Sequence, residues 1–234
     1  MNQLLQIEWL KLKRSKIIPI ILLLPLFSVL FGRLFILQTK KPPSWELLSL
    51  LSLVSYSTIM LPFTIVIIMI LLTRVEYSHN GWKQLLALPV TRIQVYFAKL
   101  SIGIMLLLLC TLIFLIAFIG TGYTLHIDQP LPAAIIAVPF QMILAALPMI
   151  AFQFVISFHV AHVSIPFGLG TLLTLSSFLI GQSERFWIYD PWAYPMNIAL
   201  SQATNHTTMF ASCIVLFLVF VTMGLFYFQK KDIV

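Results

Sequence analysis

Charge is what this sequence has least of. Only 9% of its 234 residues are Asp, Glu, Lys or Arg, and only seven are acidic. A soluble domain carries about 25% charged residues. A shortfall of that size cannot be hidden in a core, because a chain of this length still exposes much of its surface. The solvent it is built for is therefore lipid. The alternating apolar and polar pattern of barrel strands is missing too. Unbroken runs of Leu, Ile, Val, Phe and Met stand in its place. Since only helices and closed barrels satisfy their backbone inside a bilayer, these runs predict an all-α integral membrane protein.

Other absences narrow the chemistry. The two cysteines, Cys110 and Cys213, both sit inside apolar runs and read as small fillers, not as a disulfide framework or a metal site. No Ala precedes Ala87, so "KLKRSK" and the apolar run behind it lack an A-x-A cleavage site, and the first span is expected to be retained. None of the nine glycines is followed by Lys, which excludes a P-loop and ATP binding by that route. The apolar runs hold no Asp, Glu or Lys, the groups that ion-coupled carriers use inside the membrane. If this chain moves something uphill, the energy must come from another polypeptide. H-E-x-x-H and G-x-S-x-G are absent as well. His159 and His162 share a helix face if the helix continues past them, but the nearest acid is Glu184. An intramembrane enzyme or sensor using that pair is the lesser alternative to interfacial histidines.

What the chain does have is six apolar stretches near the spanning length of about 20 residues. They are Ile17–Leu37, Leu47–Leu72, Leu100–Gly120, Ala133–Phe158, Ile165–Ile180 and Met209–Phe228. Pro139 and Pro148 lie in the fourth, where a proline frees a carbonyl and can kink the helix. The basic residues divide unequally. Lys11, Lys13, Arg14, Lys16, Arg74, Lys83, Arg92, Lys99, Lys230 and Lys231 fall on one side of a six-span layout. Lys40, Lys41 and Arg185 fall on the other, with Arg33 near a span end. The excess marks the cytoplasmic side, so both termini are expected inside. The net charge of +7 then reports topology, and no nucleic acid partner is implied.

Residues 1–16 read as an amphipathic helix on the inner leaflet, with Trp9 at headgroup depth and the basic cluster meeting anionic lipid. Residues 181–208 form an outer segment that gathers Phe186, Trp187, Tyr189, Trp192 and Tyr194. It is expected to form short half-sunk helices broken by Pro191 and Pro195, serving as an aromatic belt or as a substrate surface. No repeat divides the chain, and residues 1–234 read as one membrane domain.

The least apolar interruption is residues 73–99. After Asn80-Gly81, the residues Trp82, Leu85, Leu86 and Pro89 recur on one helical face. Pro89 ends that short helix near Leu88. Thr91-Arg92-Ile93-Gln94 then fits a capping box, and the new helix runs through Tyr96, Phe97 and Lys99 into the third span. The periodicity alone allows either a docking helix or one lying on lipid.

The string "E-x4-G-W-K-Q-L-L-A-L-P-V-T-R-x6-K", with Glu76, Gly81, Trp82, Leu85, Leu86, Pro89, Val90, Arg92 and Lys99, resembles the signature of ABC-2 type permeases. Trp82 stands where most members have Thr. That departure, together with "EWLKLKRSK" near the start, is similar to the small permeases of lantibiotic and bacitracin immunity transporters in bacterial plasma membranes. The resemblance implies a membrane subunit with no cofactor of its own. ATP and Mg would be bound by a separate ABC ATP-binding subunit, whose cleft receives Trp82, Leu85 and Leu86, with Arg92 near the elbow and Glu76 anchoring the segment's start. It also implies a second permease copy or a related chain, and a membrane-active peptide as cargo. Lipid or polysaccharide is the alternative cargo.

Overall fold

A computed structural model describes residues 2–13, 18–39, 42–77, 90–181, 183, 186–200 and 206–230. Ten α-helices are present among them: α1 Asn2–Lys13, α2 Ile18–Gln38, α3 Trp45–Ser55, α4 Leu61–Tyr77, α5 Arg92–Thr124, α6 Ala133–Ala145, α7 Leu147–His159, α8 Ser164–Ile180, α9 Tyr194–Ala199 and α10 His206–Lys230. No strand occurs among the described residues. A π-helical turn, Tyr56–Met60, joins α3 to α4 into one continuous stretch.

Four stretches are long and apolar enough to cross a membrane: Ile21–Gln38, Trp45–Tyr77, Arg92–Thr124 and Thr207–Lys230. The expected fourth span is two helices, α6 and α7, bent by 41° at Ala146, and counting the pair as one gives five. The fifth expected span, α8, has 17 residues and falls short. Length and composition thus support four or five spans among the described residues, and α8 does not reach the spanning length by itself. The cause of the bend is local. Pro148 has no N–H for the Leu144 carbonyl, so the helix closes at Ala146 and restarts with Pro148 in its first turn. Cys213 of α10 sets its thiol 3.7 Å from the Ala145 carbonyl at this break.

The π turn has a similar origin. Pro62 lacks a donor and its ring crowds the carbonyl four residues back, at Thr58. Widening the preceding turn relieves both, and Leu61 N–H bonds back to the Tyr56 carbonyl.

Burial of apolar surface does not drive helices together in lipid, so close packing must. α2 packs on α3 and α5, α4 on α7 and α8, and α7 on α10. Glycines set the closest approaches: Gly103 against Met69 and Leu72, Gly122 against the Trp45 ring, Gly170 against Val66, Gly224 against Tyr96 and Val155. An aromatic line follows α5. Tyr96 meets Phe154 and Phe158 at ring distances of 5.0 and 5.4 Å, Phe114 stacks on Tyr56 at 4.5 Å, and Phe118 meets Trp45 at 5.8 Å. The faces turned outward carry Leu23, Phe27, Leu30, Leu34, Leu172, Leu179 and Val215, as a lipid-facing bundle requires.

α5 ends in a left-handed residue, His126, with Ile127 N–H bonded to the Gly122 carbonyl and His126 N–H to the Tyr123 carbonyl. This terminates the helix without leaving those carbonyls dry. The following strand of coil is pinned where Trp45 Nε1 donates to the Gln129 carbonyl at 2.7 Å.

Candidate functional site

At the end of the bundle where α4 stops and α5 begins, four charged side chains converge. Glu76 Oε1 lies 2.6 Å from Lys11 Nζ and 3.0 Å from Lys99 Nζ. Lys99 Nζ also lies 2.7 Å from Glu8 Oε2 and donates to the Leu72 carbonyl at 3.2 Å. Lys11 closes the ring with Glu8 at 3.4 Å. Lys99 has no exposure, and Glu8 and Glu76 have 3% and 2%. Among the described residues the ammonium of Lys99 meets two carboxylates and a carbonyl, the kind of partners a buried cation needs. The four described groups, two positive and two negative, balance one another in charge. Burial works against the Lys11 charge, but Glu76 and Glu8 outweigh it and hold its pKa above the ordinary value.

This geometry corrects two expectations. α1 is a helix, but its basic residues do not all face lipid. Leu4, Glu8 and Lys11 share one face, which packs toward α5 and α4, while Ile7, Trp9 and Leu10 stay exposed. Nor is Lys99 a solvated cytoplasmic charge. It belongs to the buried face of α5, beside Val95, Tyr96 and Ala98.

Two more ties flank the cluster. Tyr77, the last residue of α4, donates its hydroxyl to the Phe158 carbonyl of α7 at 2.7 Å. Arg92, the first residue of α5, donates to the Phe228 and Gln229 carbonyls of α10 at 3.0 and 2.9 Å, with its guanidinium 5.8 Å from the Phe228 ring. A cation at that position also meets the negative end of the α10 dipole. The capping box is present: Thr91 Oγ1 accepts from Gln94 N–H at 3.3 Å, and Gln94 returns a bond to Thr91 N–H at 3.1 Å. Gly81, Trp82, Leu85, Leu86 and Pro89 lie outside the described residues. What is described is the pair of anchor points on either side of them.

The family model described as ABC-2 family transporter protein matches residues 4–181. The chain belongs to that family. It is a multi-pass membrane protein and a transport membrane subunit, with α2 through α8, most of α1 and all four clustered charges inside the matched region. Comparison with curated proteins gives no match, and comparison with solved structures gives none either.

In this ABC-2 chain the aromatic residues of the opposite end divide into two sets. Trp192 and Tyr194 are buried, with Trp192 edge-on to Phe152 at 5.2 Å and Tyr194 donating to the Ile188 carbonyl at 2.6 Å. Phe186 and Tyr189 are exposed, and Trp187 is half-buried. Pro195 opens α9 and does not break it. The two histidines are not brought together on one face, because α7 ends at His159 and Val160 is extended. His159 Nδ1 faces its own Val155 carbonyl at 2.7 Å. No group of three or more potential metal ligands occurs among the described residues.

Sequence reasoning missed Glu8 and Lys11 as site residues. Their spacing with Leu4, at i, i+4 and i+7, places all three on one helical face but does not say what that face meets.

Proposed function

We propose that this chain is the membrane-spanning subunit of an exporter that expels a membrane-active peptide of the lantibiotic or bacitracin kind from a bacterial plasma membrane. A separate ATP-binding subunit, carrying ATP and Mg, drives it, and a second permease, identical or related, completes the pathway. Both termini and residues 78–89 face the cytoplasm in this reading. Trp82, Leu85 and Leu86 enter the cleft of the ATPase, while Glu76, Gly81, Pro89 and Arg92 hold and turn the segment.

The observation that supports it is the double anchoring around residues 78–89. On one side Glu76 and Tyr77 tie α4 to α1, α5 and α7. On the other Arg92 ties α5 to α10. The two anchor points together engage five helices, so a force that reaches Tyr77 or Arg92 is passed to all of them. The test is Trp82→Ala with Leu85→Ala in the assembled complex. Substrate-stimulated ATP hydrolysis is expected to fall about tenfold, the loss expected for removing buried apolar anchors, while membrane insertion is unchanged. Unaltered stimulation would remove these residues from the coupling role.

One feature favours lipid as a second cargo reading. A pocket of about 490 Å³, walled almost wholly by carbon, opens toward the lipid face between α2, α3, the π turn and α8. Deleting the gene separates the two. Loss of peptide-antibiotic tolerance with unchanged envelope lipids supports peptide, and altered lipids with unchanged tolerance support lipid.

A further inference from the structure

The turn between α8 and α9 holds an acid that the coupling machinery does not use. Asp190 follows the 3-10 turn Trp187–Tyr189 and is fixed on three sides. Its Oδ1 accepts from the Trp192 amide at 3.0 Å. Its own amide donates to the Trp187 carbonyl at 3.1 Å, and its carbonyl accepts from Ala193 N–H at 3.0 Å. The second carboxylate oxygen, Oδ2, is shielded from solvent and has no hydrogen-bond partner among the described residues. No ion pair among the described residues reaches Asp190. A carboxylate oxygen held dry without a donor is costly, and native structures rarely leave one without a reason.

The same residue lines a pocket of about 460 Å³ with Leu179, Ile180, Ser183, Phe186 and Tyr189. That volume is ordinary for a small-ligand site. Leu179, Phe186 and Tyr189 are strongly exposed, and no other described element covers them. The wall therefore combines one fixed acid, two aromatic rings and a strip of aliphatic carbon. A primary ammonium on a hydrocarbon chain satisfies all three. Its charge is drawn to the Asp190 carboxylate and suits an aromatic face, and its chain lies along Leu179 and Ile180. A neutral chain gains nothing from the Asp190 charge, and an anionic headgroup is repelled.

We propose that this pocket binds the ammonium group of a cationic amphiphile, with Asp190 receiving the ammonium and Leu179 and Ile180 the hydrocarbon. This names a cargo class for the exporter and rests on that reading for its biological meaning. The binding itself does not depend on ATPase coupling.

The test uses the full chain in phosphatidylcholine nanodiscs and two photolabels of equal length, a diazirine-bearing dodecylammonium and the corresponding alcohol. The ammonium probe is expected to label residues 179–190 saturably. Excess unlabelled dodecylammonium should displace it, and dodecanol should not. Asp190→Asn keeps an oxygen for the Trp192 amide and removes the charge, so it should weaken ammonium labelling by at least about tenfold, as loss of a charge-assisted bond does. Equal labelling by alcohol and ammonium, or displacement of the ammonium by dodecanol, overturns the proposal without any variant. So does undiminished labelling of D190N. Normal coupling with no ammonium site would remove only this inference. An ammonium site with no response to Trp82→Ala and Leu85→Ala would instead remove the coupling assignment.

Discussion

Lys99 is wholly buried and touches two carboxylates, so its removal does more than delete one cation. Lys99→Met leaves Glu8 and Glu76 facing one another with the partly exposed Lys11 as the cation they share among the described residues. Breaking a buried pair in this way costs about 3–5 kcal/mol. The expected outcome is a large drop in the thermal midpoint of the detergent-solubilised protein, read by fluorescence-detected size exclusion. Lys99→Met with Glu76→Gln should recover part of it, since one uncompensated charge goes as well. A single mutant as stable as the wild type would show that the cluster is solvated after all. Little of this was legible in the sequence. Lys99 lies immediately before an apolar run and reads as one of the basic residues on one side of the membrane, and its partner Glu8 lies 91 positions away. Only tertiary packing brings α1 to α5, and no local pattern encodes that.

Among the elements, the legible features were those decided within a few residues. The capping box at Thr91 needs four consecutive positions, and the sequence states it in full. The bend at Pro148 follows from one missing donor. The π turn before Pro62 was not foreseen, because a wider turn and a kink are alternative answers to the same proline and packing chooses between them. Helix contacts were also hidden, since in lipid they depend on where small residues meet large ones. Gly122 shows the dependence. A Cβ there would fall within the Trp45 ring. Gly122→Ala is therefore expected to destabilise by about 1–3 kcal/mol, the usual cost of overpacking. It should also shift Trp45 emission to the red as the ring loses its bond to Gln129. Gly120→Ala, with nothing within 4 Å, is the control and should not destabilise.

For the whole molecule, the all-helical membrane class was plain from composition, while the number of crossings was not. Length counting treats a bent pair and a short helix as it treats two full spans, so the sequence could not tell these cases apart. The sidedness proposed above predicts a labelling pattern. With Cys110 and Cys213 replaced by Ala, Tyr189→Cys should react with an impermeant maleimide on intact cells, and Gln229→Cys only after permeabilisation. The reverse pattern would invert the molecule. The charge cluster also bears on how the molecule is made. Synthesis delivers Glu8, Lys11 and Glu76 before Lys99. Until α5 arrives, the three earlier groups carry one negative charge in excess, which lipid will not solvate. Arrival of Lys99 discharges it and adds α5 to the contact that Lys11 and Glu76 make between α1 and α4. Chain elongation thus has a built-in order of assembly, in which the third long helix certifies that the first two are in place before the rest of the bundle is added.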